Sequence, residues 1–146
     1  MLKSMSIYTE RFQGIIETYI EELDKAEKNR KPGSGLFGIG HGPGDYPCHE
    51  EMDRQVAELA EEIAEGDAAA DEIAEIVKPV LQAEESRPWP EAARWAVMAT
   101  QRHVLPLIAR MSAADRETML AWYEKAYPKR RRMPLQKQIL EELKKI

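Results

Sequence analysis

Three histidines, one cysteine and the acids beside them carry most of the side-chain chemistry open to this chain of 146 residues. His41, Cys48 and His49 stand close together, Asp53 follows, and His103 lies alone much later. Imidazole and carboxylate together suit zinc, iron, nickel or manganese, and a thiolate shifts the choice toward zinc. His49 and Asp53 are four residues apart, the helical spacing at which two side chains share one ion. His41 would complete that set by folding back over the helix start. The metal reading therefore assigns a divalent cation to His41, His49 and Asp53. The wider ligand-binding set is His41, Cys48, His49 and His103. Against it stands a plain structural reading, in which His49 bonds backbone carbonyls and Cys48 is a small buried apolar group.

Cys48 also invites a nucleophilic reading. In the first turn of a helix its thiolate would be stabilised by the helix dipole, and His103 would be the base. No serine nucleophile motif, no metalloprotease pair and no di-iron spacing accompanies it. The residues commit to no reaction.

Residues 31–49 supply the setting. Six of the eight glycines lie there, at positions 33, 35, 38, 40, 42 and 44. Ordering such a segment costs more backbone entropy than ordering any other, so something must offset it. Leu36, Phe37 and Ile39 give it apolar anchors that a flexible linker lacks. Gly33, Gly35 and Gly38 match the spacing of the dinucleotide fingerprint. They follow a helix rather than a strand, however, and no βαβ unit surrounds them. What remains is an anion site, where glycine N–H groups lead into a helix N-terminus.

The elements that must position these residues read as helices throughout. Met5, Tyr8, Phe12, Ile15, Tyr19 and Leu23 recur at steps of three and four, which predicts a helix over residues 5–29. Pro47 opens a second helix with Met52, Val56, Leu59 and Ile63 on its stripe, and Gly66 ends it. Asp67 is placed to cap the third helix, in which Pro79 predicts a kink. The fourth, over residues 91–110, carries one stripe of Ala93, Val97, Thr100, Val104, Leu107, Ile108 and Met111. Trp95, Met98 and Leu105 form a second stripe, broken by Arg102. A helix apolar on two sides is central to its bundle or shared with another subunit. Ser112 caps a fifth helix ended by Pro128, and Pro134 opens a sixth. Strand periodicity is absent. The expectation is an all-α, single-domain bundle of five to six helices over residues 1–146, with one glycine-rich loop between helices 1 and 2.

Charge narrows the partners. Residues 50–85 hold thirteen acids and two bases, a local net of −11, and the remainder carries +6. The acidic stretch reads as the outer face of helices 2 and 3. The run Lys129-Arg130-Arg131-Arg132 is too short and too poor in aromatics for a nucleic-acid interface, so none is expected. One cysteine excludes an internal disulfide, and no apolar run is long enough to span a membrane, so the expected location is cytoplasmic. Two functions stand. One is a small helical protein that binds a metal ion or a small anion at the loop and the start of helix 2. The other is a homodimeric interaction module, using the second face of helix 4 and the acidic surface of helices 2 and 3.

Overall fold

In the computed structural model the described residues are 6–28 and 46–145. They fold into six α-helices, α1 Ile7–Lys28, α2 Pro47–Glu65, α3 Ala70–Gln82, α4 Glu91–Ala99, α5 Ala113–Ala126 and α6 Pro134–Lys144. Short 3-10 turns join several of them, and no strand occurs among the described residues. The fold is all-α, as the periodicity requires. The glycine segment and His41 lie outside the described residues, and so does the anion site expected there.

The helix ends follow from local donors and acceptors. Ser6 Oγ accepts the Thr9 N–H at 3.1 Å, and Ser112 Oγ accepts that of Asp115 at 3.1 Å. Each satisfies an amide that has no partner within its helix. Pro47 and Pro134 occupy first-turn positions, where a missing N–H costs nothing. Asp67 does not cap α3. The turn after Gly66 runs on to Ala69, and Glu72 reaches back from the first turn to accept the Ala69 N–H at 3.0 Å. Pro79 lies inside α3, which continues to Gln82.

The predicted fourth helix is in fact three pieces. α4 stops at Ala99, and 3-10 turns follow over Thr100–His103 and Leu105–Arg110. Pro106 accounts for the break. It lacks the N–H that an α-helix would direct at Arg102, and it sits in the first turn of the Leu105–Arg110 3-10 helix, where that loss is tolerated. The inward residues survive the change. Ala93, Val97, Thr100, Val104, Leu107, Ile108 and Met111 are all buried, although only Ala93 and Val97 lie on α4; Thr100, Leu107 and Ile108 are on the turns, Val104 between them and Met111 after them.

α1 packs on α2 and α3, α2 on α4, α3 on α5, and α5 on α6, with the Leu105–Arg110 turn against α3 and α6. Met52, Val56, Leu59 and Ile63 of α2 are buried as their spacing predicts, beside Phe12, Tyr19 and Leu23 of α1. A polar seam crosses this core. Tyr123 donates its hydroxyl to Gln101 Oε1 at 2.6 Å, and the Gln101 amide donates to the Tyr127 hydroxyl at 3.1 Å. The second apolar stripe is mostly covered by the chain itself. Met98 is buried and Leu105 packs partly against the core, which leaves Trp95 45% exposed.

Candidate functional site

The first turn of α2 stands where α1, α2 and the segment leading into α4 meet. Tyr46 occupies the residue before Pro47 in extended backbone and is buried. His49 lies against it, ring centroids 6.0 Å apart and nearly parallel. From α1, Tyr19 approaches the other side of His49, its hydroxyl 2.7 Å from Nδ1. Trp89 completes the cluster at 5.9 Å from the Tyr19 ring and donates its indole N–H to the Ala83 carbonyl at 3.0 Å. Burial pushes the Tyr19 hydroxyl far above its ordinary range, so it stays protonated under all ordinary conditions.

Two grooves flank this turn. One, of about 660 Å³ between α1 and α2, is floored by Ile15, Tyr19, Cys48 and Met52 and edged by Glu22, Glu50 and Glu51. The other, of about 750 Å³, is lined by Glu27, His49, Pro90, Glu91 and Trp95. Cys48 and His49 therefore belong to different grooves. Their adjacency on α2 turns their side chains about 100° apart, as helical geometry demands.

Asp53 is engaged elsewhere. Arg102 grips its two oxygens at 3.0 and 2.6 Å, and His103 Nε2 lies 2.9 Å from Oδ1. The same Arg102 donates to the Ala99 carbonyl at 2.8 Å, at the end of α4. The structure thus pairs Asp53 with His103, and His49 with Tyr19. Neither pair was legible in the sequence, because the partners are 50 and 30 residues apart. Arg102, Tyr19, Tyr46 and Trp89 are the residues that sequence reasoning missed. Only Tyr46 left a signal, as an aromatic placed directly before a helix-opening proline.

The chemistry open to this arrangement is limited. Burial pushes the Cys48 thiol up, and the amides of Cys48 and His49 offset this only in part. That is the reverse of what a helix-activated nucleophile needs, and the expected lowering by the dipole is corrected accordingly. His103, the expected base, is tied to Asp53. Among the described residues no three His, Cys, Asp or Glu side chains converge as a metal site would require. His41 is outside that set. Negative charge dominates both grooves, with Arg54 drawn away into pairs with Glu51 and Glu58.

The chain matches no known family model, no curated protein and no solved structure. Among the described residues no helix is long and apolar enough to cross a membrane.

Proposed function

We propose that the protein binds a small cation, a divalent metal ion foremost, at the start of α2 with His49 as a ligand. One observation carries this reading: the Tyr19 hydroxyl lies 2.7 Å from His49 Nδ1 and fixes the ring beside Glu27 and Glu91. A histidine that ligates metal is typically oriented by a hydrogen bond to its other ring nitrogen. In the tautomer with Nδ1 protonated, that N–H donates to Tyr19. The carboxylates of Glu27 and Glu91, which line the same groove as His49, favour a cation over the small anion that the glycine segment suggested. A coordination sphere needs further donors, and His41 is the one the sequence offers. Asp53, held by Arg102, drops out of this reading.

The test is thermal melting with zinc, nickel or manganese and with chelator, on the parent and on His49→Ala, His41→Ala and the double variant. Metal at one hundred times its dissociation constant should stabilise the parent by about 2.7 kcal/mol. His49→Ala should remove that gain. A parent indifferent to all three metals and to chelator would end the metal reading. A gain retained in both single variants would move the site elsewhere.

A second reading is a homodimer formed through Trp95. It is favoured by the 45% exposure of this tryptophan and by Arg94, whose guanidinium lies 5.8 Å from its ring centroid. Trp and Arg are the residues most often dominant at subunit contacts.

A further inference from the structure

The groove of about 750 Å³ at the start of α4 contains a tryptophan that a metal ion does not use. Glu91 opens α4 and Trp95 follows four residues on, so the two side chains share one face of that helix. Ala92 and Ala96, on the neighbouring row, are too small to fill the space beside them. Glu27, from the last turn of α1, lines the same groove. The Trp95 ring is 45% exposed, and it already attracts one guanidinium, that of Arg94, 5.8 Å from its centroid. Neither Glu27 nor Glu91 makes an ion pair or a side-chain hydrogen bond among the described residues. The cations of the adjoining helices are committed elsewhere. Lys28 pairs with Asp24 at 2.9 Å, Arg54 with Glu51 and Glu58, and Arg102 with Asp53.

A carboxylate and an indole one helical turn apart are the two halves of a guanidinium site. The planar cation stacks on the ring through its face and donates paired N–H groups to the carboxylate in its own plane. Guanidinium is also weakly hydrated, so an aromatic face replaces its water at low cost. We propose that this groove captures an arginine side chain of a basic partner protein, with the guanidinium stacked on Trp95 and paired with Glu91. Glu27 adds a second negative charge from α1. Charge complementarity argues for this occupant. The groove has two unmatched carboxylates, and among the described residues no Lys or Arg lines it. Residues 50–85, with their local net of −11, draw a basic partner toward the molecule. This goes beyond the metal reading, which leaves Trp95 unused, and it sets the partner against a second copy of the chain for the same ring.

NMR titration of the full chain tests this, with chelator present so that the outcome does not depend on the metal reading. The probe is the peptide acetyl-Gly-Arg-Gly-amide, and its control carries citrulline, which keeps the shape and loses the charge. The arginine peptide should shift the Trp95 indole N–H and the Glu91 carboxyl carbon saturably, and the citrulline peptide should shift neither. Trp95→Ala, read at Glu91, and Glu91→Gln, read at Trp95, should each weaken binding by about threefold or more, the worth of one exposed cation–π contact or ion pair. Both positions are exposed, so neither change threatens the fold. Absence of a saturable shift would overturn the proposal. Equal shifts with the citrulline peptide, or an affinity unchanged in both variants, would do the same. A second copy as occupant would move the Trp95 signal with protein concentration alone, unreversed by the peptide, and that result also excludes the arginine site.

Discussion

Thr9 donates its hydroxyl, at 2.7 Å, to the carbonyl of Glu75. That carbonyl lies four residues before Pro79, so it is the one acceptor in α3 that the proline cannot serve. A side chain of α1 thus repairs the hydrogen-bond ladder of its neighbour and fixes their relative position. Thr9→Val should lower stability by about 1 kcal/mol, the usual net worth of one such bond. Pro79→Ala returns an amide to the ladder, and in that background Thr9→Val should cost less. Urea melts of the four proteins in this double-mutant cycle check it, and strictly additive effects would refute the coupling.

Val97 and Val104 are wholly buried, on α4 and at the junction of the two turns that follow it. Val97→Asp or Val104→Asp places an unpaired carboxylate there, at a cost of several kcal/mol against a total of about 5–15. Either variant should lose its cooperative thermal transition. A melt resembling the parent's would contradict the central position of this segment.

These two segments also mark what the sequence discloses. The inward stripe from Ala93 to Met111 is legible because steps of three and four keep a residue on one face in an α-helix and nearly so in a 3-10 turn. The same tolerance hides which helix type forms, so the break at Ala99 escapes a reading from periodicity. Pro106 signals a bend without fixing where the backbone first departs. The candidate site is less legible still. His49 and Asp53 have the spacing to share an ion, yet Tyr19 and Arg102 each claim one of them from far along the chain. Which partner wins is decided by packing of α1 and α4 on α2, and local spacing carries no record of it.

The Asp53 cluster should behave as a tie between α2 and the Thr100–His103 turn. Asp53→Ala leaves Arg102 and His103 without their carboxylate, and because Arg102 is half exposed the change should cost at most about 1 kcal/mol. Chelator should leave the size of that loss unchanged. If Asp53→Ala instead abolishes a metal-dependent gain in Tm while leaving the apo protein as stable as the parent, Asp53 is a ligand after all.

Trp95 gives the association reading its own test. Sedimentation of the parent at high concentration should reveal a dimer, and Trp95→Ala should shift it to monomer with little change in stability, because the ring is already 45% exposed. A parent that sediments as a monomer throughout would remove the reading.

Stability should pass through a maximum in mild acid, because two carboxyl groups act on it with opposite sign. Lys78 lies 2.8 Å from Asp115 and holds its carboxyl below the ordinary 3.8, aided by Ser112. Asp115 therefore contributes stability above pH 3.8, and that contribution is lost as the pH falls through its lowered value. The pair is partly exposed, so this contribution is at most about 1 kcal/mol. Glu84 is raised above 4.5, chiefly by burial and then by Glu85. Its contribution is complete below 4.5 and is lost as the pH rises through the raised value. Urea melts across pH 2–9 separate the two. Asp115→Asn should flatten the acid limb alone, and Glu84→Gln the limb on the alkaline side alone. An alkaline limb that persists in Glu84→Gln would assign the loss to other groups.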